Sequence, residues 1–274
     1  MIFDYSEYIS SKGEMGIVNY ETVQEGKEFF SHKPICPFCK RTITNTVFSK
    51  SDNTKNDWLF GSFYQSETVV QCPVCGWWEH KYTNSSDAMV DGIRANDIEI
   101  NTAILKRYND NDSEVPISLL RTYIETHPDK IYGIDAHKMA ELVRAVFSGF
   151  YSQCKVISFG KTRDGGKDGL IVDGGGKQTI LQVKRRTSPS ATEGVEPIRE
   201  LLGVAMLEED PTGCIFVSTA DHFSKDAQKA AQRAVALNRV DCFDLYDCKS
   251  FLQLLNITKS EPPKIWEHLL KLSR

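Results

Sequence analysis

Two rhythms of apolar positions run along the second half of the chain. Between Asp135 and Phe150, the residues Met139, Leu142, Val143, Val146, Phe147 and Phe150 recur at spacings of 3, 1, 3, 1 and 3. Such a stripe predicts an amphipathic helix, and Asp135 stands where its N-cap belongs. The rhythm then shortens. CKVISFG predicts a strand, and GLIVDGGGKQTILQV predicts a hairpin: an apolar run, a glycine turn and a second apolar run. EPIRELLGVAMLEE reads as a helix, GCIFVSTA as a buried strand, SKDAQKAAQRAVALN as a helix capped by Ser224, and VDCFDLYD as a last strand. Two short helical segments finish the chain. A hairpin followed by strand–helix–strand crossovers implies a mixed sheet with helices on both faces.

The first half is less regular. Residues 1–30 are polar and weakly patterned. Between residues 31 and 84, TITNTVFS and WLFGSFYQSETVVQ are rich in β-branched and aromatic residues and predict short strands, with SDNTKND as a turn-like break. SDAMVDGIRANDIEINTAILKRY reads as helical, NDNDSEVP as a loop, and PISLLRTYIETHP as a short helix that Pro128 ends. The expected organisation is an N-terminal segment (1–30), a small β domain (31–84), a helical connector (85–130) and an α/β domain (131–274).

Composition narrows the class. The chain of 274 residues, 41% hydrophobic and 26% charged, is large enough for one or two real cores. It has no apolar run of membrane-spanning length, and its acidic N-terminus, MIFDYSEYISSKGEMG, lacks the features of a secretory signal. The expectation is a cytoplasmic protein with no membrane partner. Net charge is −4, but it is unevenly spread. Residues 131–274 hold 20 Lys and Arg against 18 Asp and Glu, whereas the first 130 hold 13 against 19. A local basic patch in the back half can therefore still grip phosphates.

The eight cysteines fall into two kinds. Cys36 and Cys39 form CPFC, and Cys72 and Cys75 form CPVC. Each CxxC turn presents two sulfurs from one knuckle, and two knuckles complete the four-thiolate tetrahedron that structural Zn²⁺ prefers. Pro37, Pro73 and Gly76 suit tight turns. The pattern resembles a zinc ribbon. Reduced buried cysteines would not require the spacing twice, and a redox pair would open a strand–helix unit. With four thiolates filling the shell, His32 and His80 read as surface histidines. Trp58, Trp77, Trp78, Phe63 and Tyr64 can stack on bases or build a small core, the latter being the simpler use. Cys154, Cys214, Cys242 and Cys248 read as small buried hydrophobes, mostly within apolar strands.

The hairpin carries polar residues where apolar ones are expected. Ile180, Gln182 and Lys184 share one face of its second strand, and Asp168, Leu170 and Val172 share one face of its first. A three-residue loop, 174–176 or 175–177, sets Asp168 across from Gln182 or Lys184. An Asp–Lys pair there can be a plain surface ion pair. Flanked by apolar strands, however, these groups would lose hydration with little return unless a metal or substrate uses them. Glu141, beside the apolar stripe of the preceding helix, can reach the sheet edge. This set suits metal-dependent phosphodiester hydrolysis. Asp168, Glu141, Gln182 and the Val183 carbonyl are hard oxygen ligands for Mg²⁺, and Lys184 can position water or offset transition-state charge. Arg185, Arg186, Lys161, Arg163 and Lys167 offer phosphate contacts nearby. Asp164 and Asp173 read as turn or strand-end residues. GGGK at 174–177 lacks the spacing of a phosphate loop and lies between strands.

RDGGKDGLIVD, TILQVKRR and FVSTADHFSKDAQKAA together resemble the catalytic core of Mrr-type restriction endonucleases, within the PD-(D/E)XK nuclease superfamily, over about residues 115–250. Glu141, Asp168, Gln182 and Lys184 match the family's helix Glu, strand Asp and Q-x-K. Gln182 replaces the second carboxylate of many superfamily members, as is usual in this branch. The resemblance implies a restriction-endonuclease-like α/β fold, DNA as substrate, a role in restriction of foreign DNA, modified DNA included, and a homodimer at least on DNA. The competing expectation is a non-catalytic DNA- or protein-binding protein whose ribbon is the active part and whose nuclease fold is a scaffold.

Overall fold

The computed structural model describes residues 1–13, 35–42, 46–55, 62–90, 93–158, 167–208, 211–258 and 264–272. The chain divides into two compact units. One comprises Phe3–Arg107 with Pro263–Arg274, the other Met1–Ile2 with Tyr108–Pro262.

The first unit is built on five antiparallel strands: β1 (Tyr8–Gly13), β2 (Thr46–Lys55), β3 (Ser62–Gln71), β4 (Trp78–Val90) and β5 (Ile93–Ala103). They lie in the order β1-β5-β4-β3-β2. The helix expected across residues 86–108 is corrected by this sheet. Ile98, Ile100 and Thr102 alternate with Asp97, Glu99 and Asn101, a period of two, and the segment pairs with β4 on one side and β1 on the other. Cross-strand partners outweigh the weak helical preference of a polar stretch. The expected connector of 85–130 is therefore split: its front part is strand in this unit, and its rear part lies in the other. The chain's last segment is also reassigned. A 3₁₀ turn, Ile265–Leu269, puts Trp266 and Leu270 into a cluster with Val69, Val70, Trp77, Trp78 and Ala103.

In the second unit, α1 (Ile117–Thr126) precedes α2 (Ala136–Phe150). Asp135 caps α2 as expected, its side chain accepting from the amides of His137 and Lys138. The stripe is buried from Met139 to Phe147, while Phe150 stands exposed at the helix end. Five strands follow: β6 (Lys155–Ile157), β7 (Gly169–Val172), β8 (Gln178–Lys184), β9 (Pro211–Ser218) and β10 (Cys242–Tyr246). Their order is β10-β9-β8-β7-β6. β8, β9 and β10 run parallel, and β7 and β6 continue antiparallel, so the sheet is mixed. Helices α3 (Glu196–Ala205), α4 (Lys225–Ala236) and α5 (Cys248–Ile257) complete the unit, with Ser224 capping α4 as expected.

Adjacent residues of β8 face opposite layers. Leu181 joins Leu142, Val143, Val146 and Phe147 of α2 and Phe251 and Leu255 of α5. Ile180 joins Ile198 and Leu201 of α3 and Ala227, Ala231 and Ala234 of α4. The three small alanines let α4 lie close against its neighbours. Apolar burial on both faces, at about 25 cal/mol per Å² removed from water, is the main stabilising term.

Candidate active site and metal centre

The β7–β8 hairpin turns at residues 174–176. Asp173 and Lys177 close the turn, and the Asp173 carboxylate accepts from the amides of Gly175 (2.8 Å) and Lys177 (2.9 Å). Asp173 is thus a turn residue, as expected. Gly176 has φ +83°, a conformation glycine adopts without strain. This turn pairs Ile180 with Leu170 and Leu181 with Gly169, which leaves Asp168 opposite Gln182. The Asp168 amide donates to the Leu181 carbonyl at 2.9 Å, and its carboxylate Oδ2 accepts from the Val183 amide at 2.7 Å. The carboxylate is therefore stitched to β8 between Gln182 and Lys184, two half-buried side chains on the Ile180 face. Among the described residues the buried Gln182 Oε1 has no hydrogen-bond partner, an acceptor of the kind that a bound cation or water satisfies.

Glu141 is placed differently. Its helix packs its apolar stripe on the Leu181 face of the sheet, and its carboxylate is paired with His137 (3.1 Å) and Lys138 (2.8 Å). Arg144, one turn further along α2, donates to the Asp168 carbonyl at 2.8 Å. A Cβ on Gly169 would stand 3.4 Å from the Arg144 Cγ and Cδ and 3.3 Å from the Ile157 carbonyl, so glycine leaves room for this arm. The helix thus presents the side of Glu141 and Arg144 toward the start of β7.

The predicted phosphate contacts are mostly engaged within the protein. Lys167 pairs with Glu208 at 2.6 Å, and Arg185 donates to the Tyr132 carbonyl at 3.3 Å. Arg186 forks onto Glu193, whose carboxylate is fully buried and also accepts from the Ser218 hydroxyl at 2.7 Å. The Thr219 hydroxyl accepts from the Arg186 amide and donates to its carbonyl, and the Thr219 amide donates to the Lys184 carbonyl. Together these bonds lock the end of β8 to the end of β9. Lys161, Arg163 and Asp164 lie outside the described residues. Arg144 and Glu193, which brace the ends of β7 and β8, are positions that the sequence pattern does not single out. Small polar Ser218 and Thr219 at the end of an apolar run are a readable signal for this lock, but nothing in the sequence around Glu193 marks it as buried. A cleft of about 500 Å³ opens beside Lys184 and Arg186, walled by Thr192, Gly194, Glu196 and Glu200.

In the first unit the four thiols converge, all sulfurs lying within 4.8 Å of one another. Cys36 and Cys75 are 3.4 Å apart, as are Cys39 and Cys72. The two knuckles are built alike. The Lys40 amide donates to the Cys36 carbonyl and the Gly76 amide to the Cys72 carbonyl. The residue after the second cysteine is left-handed in each, Lys40 at φ 58° and Gly76 at φ 82°. A tetrahedron of metal–sulfur bonds of about 2.3 Å has S–S edges of about 3.8 Å, which this cluster fits with small adjustment. Tyr5 hydrogen-bonds the Cys75 thiol from outside the cluster.

Two further expectations are corrected here, one on His80 and one on the scattered cysteines. His80 is not a surface residue: it is fully buried between Glu67 (2.9 Å) and Asn101 (2.9 Å), because its strand position points it beneath the C-terminal segment. The Glu67 carboxylate also accepts from the amides of Lys271 and Leu272, both at 2.8 Å. His32 and Trp58 lie outside the described residues, while Trp77 and Trp78 are buried core. Among the remaining cysteines, Cys214 is buried in β9 and burial pushes its thiol up to about 12, the state of an inert side chain. Cys242 lies on β10, but Cys248 opens α5 and Cys154 sits in a turn, so only two of the four are on strands.

A family model described as a restriction endonuclease, the Mrr catalytic domain, matches residues 131–254. No curated protein matches the chain. Among solved structures, restriction endonuclease FokI bound to DNA is similar at 14% identity with a TM-score of 0.35. That match covers 59% of this chain and 29% of FokI, so this chain spans less than a third of it. Among the described residues no helix is long and apolar enough to cross a membrane. Residues 131–254, with their capped helix, polar hairpin and parallel crossovers, form a restriction endonuclease domain of the Mrr family.

Proposed function

We propose that this chain is a Mg²⁺-dependent DNA endonuclease that hydrolyses phosphodiester bonds in restriction of foreign DNA, modified DNA included. The observation that carries this reading is the placement of Asp168. Its carboxylate is pinned by the Val183 amide next to Lys184 and opposite Gln182, whose buried Oε1 has no partner among the described residues. A hard divalent cation suits this oxygen set, and Asp168, Gln182 and the Val183 carbonyl would hold it, with Glu141 joining directly or through water. When bound, such a cation polarises a phosphate and acidifies water. Lys184 contributes a positive charge beside the scissile phosphate, where negative charge grows in the transition state. The Glu193–Arg186–Thr219 lock holds the strand that presents Lys184. Cutting both strands of a duplex calls for two such sites, which supports a pair of copies on DNA. In the other unit, Zn²⁺ on Cys36, Cys39, Cys72 and Cys75 is structural.

Plasmid cleavage with Mg²⁺ tests the proposal. The wild type is expected to nick or cut, and Asp168→Ala to lower the rate by roughly 10³-fold, at the upper end of the loss on removing one charge-stabilising group. Equal behaviour of the two proteins, with no cleavage by either, would leave the non-catalytic binding reading in its place.

A further inference from the structure

The nuclease domain carries a second concavity, apart from the cleft beside Lys184. A groove of about 410 Å³ runs between α3 and α4. Arg199 of α3, Lys229 and Arg233 of α4, and Arg239 just beyond α4 line it, against a single acid, Asp226. All four cations are exposed, and none is in an ion pair among the described residues. This contrasts with the hairpin, where Lys167 and Arg186 are paired to Glu208 and Glu193. Those two cations near the candidate catalytic residues thus hold the fold, while those of the groove are available. Lys229 and Arg233 are four residues apart on one helix face, a rise of about 6 Å, so they form a row rather than a point. A row of positive charge with one acid beside it suits a partner that repeats its negative charge at short intervals.

We infer that the α3–α4 groove binds the phosphate backbone of nucleic acid, as a contact additional to the one at the catalytic cleft. This rests on the nuclease reading for the identity of the polyanion. Helix α3 links the two places, since Glu196 and Glu200 wall the cleft and Arg199 lines the groove. A duplex held in the groove is thereby tethered to the same helix that borders the reaction site. The contact is to backbone, so it strengthens binding to all sequences alike.

The test measures binding, not cleavage. The full-length protein is titrated onto a fluorescently labelled duplex without divalent metal, across a range of salt concentrations. Arg199→Gln combined with Arg233→Gln is expected to weaken binding by about tenfold or more at moderate salt. It should also reduce the slope of log affinity against log salt by about 1.8, close to 0.9 for each phosphate that is no longer neutralised. Arg233→Lys keeps the charge and should retain most of the affinity. Circular dichroism and thermal melting of the double variant should match the wild type, because both side chains are exposed. Affinity and salt slope unchanged in the double variant would overturn the inference. So would a change in sedimentation mass of the DNA-free protein on substitution, which would make the groove an interface between two copies. Because the readout is affinity, a wild type that binds DNA but never cuts it would refute the nuclease reading and leave this one standing.

Discussion

In the nuclease domain the central sheet lies between two apolar layers, with Leu142, Phe147 and Phe251 on one face and Ile198, Leu201 and Phe216 on the other. In the cysteine unit the buried cluster is smaller, and two of its members, Cys36 and Cys72, are candidate metal ligands. Its sheet also buries polar groups: Glu67, Glu79, His80 and Asn101. One unit is held by area removed from water; the other sets a four-thiol cluster and a layer of buried polar side chains beside a smaller apolar cluster. The same chain therefore has two kinds of vulnerability. Loss of a methylene is felt in the first, and loss of one charged partner in the second.

The largest effect is expected at the four-thiol cluster. Free energies of structural Zn²⁺ binding are of the order of 10 kcal/mol, more than a small sheet's net stability. Chelation, or Cys72→Ser, should unfold the cysteine unit and leave the nuclease domain folded. The four tryptophans of the chain, at 58, 77, 78 and 266, all fall within the residue ranges of the cysteine unit. Tryptophan fluorescence therefore reports that unit alone, and far-ultraviolet circular dichroism reports both. Fluorescence should shift at once on chelation while most helical signal persists; loss of both signals together would show that the units do not fold separately.

A smaller break targets the buried acid. Glu67→Ala leaves His80 and the amides of Lys271 and Leu272 without their acceptor. The expected cost is about 3 kcal/mol in urea unfolding followed by tryptophan fluorescence, together with faster amide exchange at Lys271 and Leu272. Unchanged exchange at those amides would show that Glu67 does not hold the C-terminal segment.

A third effect depends on pH. Burial pushes Glu79 from its ordinary 4.5 up to about 8, and only the Thr102 hydroxyl and the charge of Lys81 oppose it. The folded state holds this proton more tightly than the unfolded chain. Its contribution to stability is therefore complete below about pH 4.5 and is lost as pH rises through about 8. Melting of the cysteine unit should weaken across that window, and Glu79→Gln should flatten the trend. An identical pH profile in the variant would remove Glu79 from the account.

Legibility in the sequence follows the range of the forces involved. The α2 stripe, its Asp135 cap, the Ser224 cap and the Asp173 turn all depend on residues within a few positions of one another, and each stands where the pattern places it. The two CxxC knuckles are equally local. Residues 93–103 are hard to read because a polar strand has only its alternation to declare it, and that alternation is weaker than the apparent helical run. At the site, Asp168, Gln182 and Lys184 are readable because a hairpin register follows from turn length. Arg144 and Glu193 are not, because their partners come from other elements.

Periodicity, caps and turns act over short spans, so the mixed α/β domain, the two CxxC knuckles and the hairpin of β7 and β8 can be read along the chain. Packing alone buries His80 and Glu67 beneath the chain's last residues and binds Arg186 to Glu193. It alone gathered the cations at the α3–α4 groove. A charged side chain's partner is chosen by whatever surface packing brings within hydrogen-bond distance, and no spacing along the chain encodes that choice.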